Sequence, residues 1–433
     1  PGCQITLLEN DAGLIDMLGY PPDILTRVNV LTTDARLFLN ENSKEKYDAI
    51  MLYPISPVTL GGNRLFTIEA FKAMKRRLKP NGVLSLQVEG SENYLGSVKE
   101  KILLSTWQAL KSEFNNCAAV PGSTVTFFAA DETLTVDTKT LISRFSSRKI
   151  QTGTFFPMSF HNIFMPFRVA ELNDWLGRNH ETTLNTDAHP GTFMQQLELW
   201  NVYTGTSLNR WLVVLQNTSR TRLFTIFLVT GLGLMLLPAI FSAGFAARNI
   251  VAGGVAVSGA TGLFSEIILI LLYQNRHGAA YQMTALFFGL YMLGLATGAM
   301  TFGHLQRREA AIKRLKTVKL LQIIFTGAGV AYVSFSELHS AAVTSLMIFL
   351  IAFLDGIEFP VADNILRGSG REAQDSAGLL LFSDSAGAML TGLSSGLWLL
   401  PAFGMQNCFA MLCTALIINY VSLLLFSKKI HEG

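Results

Sequence analysis

Residues 223–243 contain no Asp, Glu, Lys or Arg, and the same apolar character returns near 249–273, 279–303, 320–336, 338–358, 376–400 and 405–427. About 20 apolar residues in a helix cross roughly 30 Å of hydrocarbon, whereas a soluble surface helix keeps one polar face. The seven runs predict an all-α polytopic transmembrane bundle over residues 223–433. Small residues recur inside them, as in "GLYMLGLATGAMTFG" and "GLSSGLWLLPAFG", and small residues let membrane helices pack closely. Charge follows the same division. Residues 1–222 carry 22 Lys/Arg and 21 Asp/Glu, and residues 223–433 only 12 and 10. One half is built for water and the other for a lipid bilayer. A formal charge of +3 with no dense basic face gives no reason to invoke nucleic acid. The four cysteines have no metal-ligand spacing and read as small buried or lipid-facing hydrophobes.

The first half, residues 1–200, alternates short branched-apolar runs ("QITLLE", "VNVLT", "YDAIML", "GVLSLQV") with helical patterns ("AGLIDML", "DARLFLNE", "TIEAFKAMKRRL"). That alternation predicts a doubly wound, Rossmann-like α/β domain with a mostly parallel sheet. "KPNG" (79–82) stops one helix before the next strand, 97–115 reads as an amphipathic helix, "STVTFFAAD" as a strand, and 138–200 as smaller helices and loops. Residues 201–222 read as a linker. The sequence opens at Pro1 directly into a strand, as a fragment of a longer protein would, with the first βα unit and its glycine-rich loop missing.

"ITLLEND" is a strand ending in an acid. In doubly wound folds such an acid accepts hydrogen bonds from ribose hydroxyls, which makes Glu9 the candidate. Asp34 in "NVLTTDARLFL" stands where a carboxylate can take an adenine amino group; the alternative is a helix N-cap. For Glu9 the alternative is a solvated strand end.

The ordered set "ITLLENDAGLIDML", "VNVLTTDARLFL", "YDAIMLYPISP", "NRLFTIEAFKAMKRRLKPNGVLSLQ" and "LNTDAHPGTF" resembles the spermidine synthase family over most of residues 3–200. "VAVSGATGLFSEIILILLYQ" and "DGIEFPVAD" resemble the membrane part of the bacterial branch in which this domain is fused to transmembrane helices. The resemblance implies a bacterial inner-membrane protein. Its family activity is aminopropyl transfer from decarboxylated S-adenosylmethionine, or a related adenosyl compound, to a small amine. It also implies that Glu9 is the ribose-binding acid and Asp34 the adenine-binding acid. Gln87, Phe66 and Asp187 would border the substrate pocket, Phe66 standing where many relatives have tyrosine. Thr33 stands where a second acid often precedes the adenine-binding one. The family's two catalytic acids fall on Tyr53 and Ser56. An ammonium must lose a proton before it can attack, so a base is required. Tyrosine, which ionises near pH 10 in model peptides, is a poor one at neutral pH. Serine supplies no negative charge to hold a cationic diamine. Pro54 and Pro57 stiffen the same loop. Transfer is therefore expected to be weakened or lost. Asp187 and His189 have no third ligand nearby, so no metal is expected.

Four acids fall inside the apolar runs: Glu266, Asp355, Glu358 and Asp384. A charge at membrane depth costs roughly 2.5–3.5 kcal/mol even on the lenient insertion scale. Glu266 and Asp384 read as a functional pair or a polar lock, and Asp355 and Glu358 either as functional groups or as a helix end at the headgroups. A path lined by Glu266 and Asp384 would suit an amine carrier, the alternative to an enzyme. The basic stretch 304–319 reads as a cytosolic loop. Counting spans back from it puts the soluble half outside, whereas Arg220 and Arg222 favour inside.

Overall fold

The computed structural model describes residues 3–11, 13–14, 17, 27–41, 44–53, 57, 60–91, 96–150, 152–178, 182, 184–193, 195, 198–199, 218–236, 242–278, 281–301, 308–335, 339–368 and 372–427. The chain divides into two compact units, Pro1–Arg210 and Trp211–Gly433. The "AGLIDML" helix pattern falls mostly, and residues 201–217 of the expected linker wholly, outside the described residues.

In the first unit β1 (Ile5–Glu9) pairs in parallel with β2 (Val28–Thr32), Glu9 lying opposite Thr32. Helix α1 (Ala35–Asn40) follows at once, capped by Asp34. Then come β3 (Tyr47–Leu52), α2 (Leu60–Asn63), α3 (Ile68–Arg77), β4 (Leu78–Glu89) and α4 (Ser97–Glu113). The side chain of Thr67 caps α3, accepting from the Ala70 amide. Glu69 lies in the first turn and Lys75, Arg76 and Arg77 in the last, the charge order that the helix dipole favours. The helix ends at Arg77, three residues before Pro80, and β4 begins at once; Asn81 takes the left-handed conformation (φ 63°) inside that stretch.

The larger sheet has the order β3-β4-β6-β5 and is mixed, not mostly parallel as expected. β3 and β4 run parallel, but β5 (Asn116–Val120) and β6 (Thr124–Ala130) form a hairpin that adds antiparallel to β4. The reason is local: Pro121 and Gly122 turn the chain back within three residues, which leaves no room for a crossover helix. β5, "NCAAV", has side chains too small to stand out in the sequence. β4 alternates buried Leu84, Leu86 and Val88 with less buried neighbours, so one face is turned to the core. Phe66, Phe71 and Met74, Ile102, Leu103 and Leu110 of α4, and Phe127 fill that core. Helices α5 (Thr138–Ser147), α6 (Ser159–Ile163) and α7 (Pro166–Gly177) complete the unit as the smaller helices expected there.

The second unit is helical: α8 (Arg220–Leu236), α9 (Ala243–His277), α10 (Tyr281–Thr301), α11 (Arg308–Ser334), α12 (Ala341–Arg367), α13 (Ala373–Ser394) and α14 (Leu400–Leu425), with a π-helical turn (Ser395–Leu399) leading into α14. Five of these, α9, α10, α11, α12 and α14, are long and apolar enough to cross a membrane. The apolar runs at 223–243 and 376–400 fall on α8 and on α13 with its π turn. The basic stretch 304–319 departs from the expected loop. From Arg308 onward it is already helical, and Lys319 is the twelfth of the 27 residues of α11, 1% exposed.

The central helix is α9, which packs against α11, α12, α13 and α14; 67% of its most apolar window is buried, against 22% for α10. Leu286, Phe288, Met292, Leu293 and Met300 of α10 stay exposed within the unit, as side chains facing lipid do. The small residues act as expected at the crossings. At Gly294 the space for a Cβ is blocked by the Phe349 carbonyl, 2.7 Å away, and at Gly387 by the backbone of Ala256. All four cysteines are free. Cys408 is buried, but Cys3 is exposed, which departs from the expected buried or lipid-facing hydrophobe.

Candidate functional site

In the first unit the parallel pairing of β1 with β2 brings Glu9 and Asp34 to the same end of the strands. The Thr33 amide donates to the Glu9 carbonyl (3.1 Å), and the Glu9 carboxylate accepts from the Asp11 amide (3.1 Å). Asp34 is 7% exposed and turned inward. One oxygen accepts from the Arg36 and Leu37 amides (2.9 and 3.2 Å), and the other is paired with the Arg64 guanidinium. Its carboxylate is thus both the cap of α1 and half of a buried ion pair.

Around this pair lies a cluster that joins three distant segments. Arg36, 2% exposed, donates to Asp187 (2.5 Å), to the Arg64 carbonyl (3.0 Å) and to the Thr67 hydroxyl (3.3 Å). Thr67 donates to the other oxygen of Asp187 (2.7 Å), and the Asp187 amide donates to Glu69 (2.9 Å). One side of Glu69 is open at the surface, yet desolvation first and the Asp187 carboxylate second push its carboxyl above the usual range. Asn185 and Asn63 exchange side-chain hydrogen bonds (3.0 and 3.2 Å), and the Ile68 amide donates to the Asn185 carbonyl (3.0 Å). "LNTDAHPGTF" therefore clamps the start of α3 onto α1. Arg36 and Arg64 had no mark in the sequence to separate them from other basic residues; only the fold brings them to Asp34 and Asp187. Asp187→Ala strips the carboxylate from a buried guanidinium. It is expected to cost about 1.5–3 kcal/mol, the worth of a hydrogen bond to a charged group, read as a lower thermal transition of the full chain in detergent.

Tyr53 follows β3 directly, at the strand's carboxyl end, and is 68% exposed. Ser56 lies outside the described residues. Gln87 sits near the same end of β4, since Leu52 pairs with Leu86, and donates to Thr126 across the antiparallel pair (3.3 Å). Phe66 is completely buried in the hydrophobic core.

The four membrane acids belong to the second unit, and the structure brings them together around α9. Lys319 of α11 and Glu358 of α12 form an ion pair (2.8 Å), 1% and 2% exposed. The ammonium also donates to the Gly254 carbonyl (2.8 Å) and the Ser258 hydroxyl (2.6 Å). Ser258 and Gln322 donate to the same Glu358 oxygen (2.6 and 3.0 Å). Gln322 also donates to one oxygen of Asp355 (2.8 Å), while the other Asp355 oxygen is buried without a partner. Asp355 and Glu358 thus lie mid-helix inside the bundle and not at a helix end, with partners from α9 and α11. Glu266 is 2% exposed, with one buried oxygen unpartnered, and Asp384 of α13 lies against Gly259. Among the described residues no group of three or more His, Cys, Asp or Glu gathers closely enough to hold a metal ion.

Residues 24–127 match the family described as the spermine/spermidine synthase domain. No curated protein matches the chain significantly. Among solved structures, a probable spermidine synthase from Corynebacterium glutamicum ATCC 13032 is similar, with 16% identity and a TM-score of 0.26. The match covers 42% of this chain and 65% of that one, so the chain spans somewhat under two thirds of that protein's length.

Proposed function

We propose, from a spermidine synthase-like domain joined in one chain to helices able to cross a membrane, that the first unit is an adenosyl-compound-binding module whose aminopropyl transfer is weakened or lost. The observation that carries this reading is Tyr53. It stands at the open carboxyl end of β3, where the resemblance puts the family's base, and a phenol cannot take a proton from an ammonium at neutral pH. Ser56 stands at the position of the second acid and supplies no charge for a diamine. Glu9 is the ribose acceptor in this reading. Asp34 holds the strand end beside it in place, and Gln87 borders the amine. Decarboxylated S-adenosylmethionine is the adenosyl compound that the family relation favours.

Isothermal titration of the full chain with decarboxylated S-adenosylmethionine is expected to show binding, and putrescine is expected to be turned over slowly or not at all. Restoring both acids, Tyr53→Asp with Ser56→Asp, should raise the rate by 10²-fold or more, roughly the contribution of a positioned general base. No heat above buffer removes the adenosyl reading. Turnover by the unaltered chain at the rate of an acid-containing relative removes the loss of chemistry.

A second reading, an amine carrier with a nucleoside-binding sensor, is favoured by Glu266 and Asp384, acids placed within the bundle. Labelled putrescine should then enter proteoliposomes, and Glu266→Gln should reduce uptake at least tenfold. No uptake by the unaltered protein ends that reading.

A further inference from the structure

Gly254, Ser258, Gly262 and Glu266 recur every fourth residue along α9 and so share one face of the helix. The line covers about 18 Å at 1.5 Å per residue, more than half of a hydrocarbon layer of roughly 30 Å. Each position meets a polar group. Lys319 takes the Gly254 carbonyl and the Ser258 hydroxyl. At Gly262 the space a side chain would fill is occupied by the Asp355 carboxylate and the Tyr291 hydroxyl. Glu266, 2% exposed, closes the line four residues beyond the glycine against which Asp355 and Tyr291 lie.

The groups facing this line are few and can be named helix by helix. Tyr291 comes from α10, Lys319 and Gln322 from α11, Asp355 and Glu358 from α12, and Asp384 from α13. From α14 comes the neutral amide of Asn419, beside Gly254. Lys319 neutralises Glu358, and its other contacts leave the ammonium fully engaged. Among the described residues no second cation pairs with Asp355, Glu266 or Asp384 in this cluster. Among the described residues Asp355 and Glu266 each keep a buried oxygen with no hydrogen-bond partner. An unpaired ionised carboxylate away from water costs several kcal/mol, so these oxygens call for a positive ligand. A metal ion needs several donors at once, and no such group is gathered among the described residues. A proton needs one oxygen.

We propose that Asp355 and Glu266 form a proton-binding site inside the helical bundle, with Tyr291 and Asp384 around it and the Lys319–Glu358 pair as its fixed neighbour. The Gly262 notch gives Asp355 and Tyr291 room to approach α9, and the line of small residues continues toward the lysine. The site does not rest on the adenosyl reading of the first unit and stands if that reading falls.

Infrared spectra of the full chain in lipid nanodiscs test it, because exposed carboxylates, which titrate near about pH 4, contribute no carboxylic-acid C=O band at neutral pH. The unaltered protein is expected to show such a band at pH 7, shifted in D2O and lost on raising the pH. Asp355→Asn and Glu266→Gln should each remove part of it. Asp363→Asn, at the far end of α12 where Asp363 pairs with Arg367, should leave it intact. A spectrum of the unaltered protein without the band overturns the proposal whether or not any variant folds. So does a band that survives both substitutions. Loss of the band on exchanging choline for Na+ or K+ at fixed pH would assign the site to a metal cation and overturn the proton.

Discussion

Lys319→Met is expected to destabilise the helical bundle by about 3–5 kcal/mol, the usual consequence of removing one partner from a buried ion pair. The ammonium is 1% exposed and makes three kinds of contact: to the Glu358 carboxylate, the Gly254 carbonyl and the Ser258 hydroxyl. Methionine has a similar length and fills the space, but it leaves Glu358 among low-dielectric neighbours with only Ser258 and Gln322 as donors. The cost therefore lies in the stranded carboxylate and not in lost packing. The double variant Lys319→Met with Glu358→Gln separates these causes. With no charge left, most of the loss should be recovered, since replacing a buried pair as a whole is often neutral or better. Thermal unfolding in detergent, followed by helical circular dichroism, reads both. Equal losses in the single and double variants would assign the effect to shape and contradict an electrostatic role.

Phe66→Ala is expected to cost about 3–5 kcal/mol, the range for deleting a buried aromatic ring. Phe66 is 0% exposed and belongs to the cluster formed by Phe71, Met74, Leu84 and Leu103. The Asn185 side-chain amide donates to the Phe66 backbone carbonyl (3.0 Å), so the clamp over α3 closes beside this ring. Phe66→Tyr would add a hydroxyl within this apolar cluster and cost about 1–3 kcal/mol if it finds no partner. A residue lining a substrate pocket would behave differently: truncation would weaken ligand binding with little change in unfolding. Stability of the full chain and binding of an adenosyl compound, measured on the same variants, distinguish a core ring from a pocket wall.

The clearest features in the sequence were those carried by a run of neighbouring residues. β1, β2, β3 and α3 follow directly from branched-apolar stretches bounded by turn formers and caps, and β4 extends its stretch back to Leu78 through "KPNG". The helical half follows from its uncharged lengths. What depended on distant partners was not legible. Asp34 could be read as an adenine acceptor or as a helix cap, and the chain folded Arg64 onto its second oxygen. Phe66 lay between Leu65 and Thr67 with nothing to distinguish pocket from core. Lys319 was concealed by company. It ends a stretch that also holds Lys313, Arg314 and Lys316, and an average over that window reports a basic loop although one of its members lies inside the bundle.

By itself the sequence determined an α/β half of ordinary charge content followed by an apolar helical half, because burial scales with apolar area and hydrocarbon thickness sets helix length. It also fixed that Tyr53 and Ser56, neither of them an acid, follow the "YDAIML" strand, since identity at a position needs no fold. Tertiary structure alone decided which charges are partnered. Coulomb energy depends on separation and local dielectric, and those were set only when α11 and α12 packed on α9 and the 184–193 segment closed over Arg36.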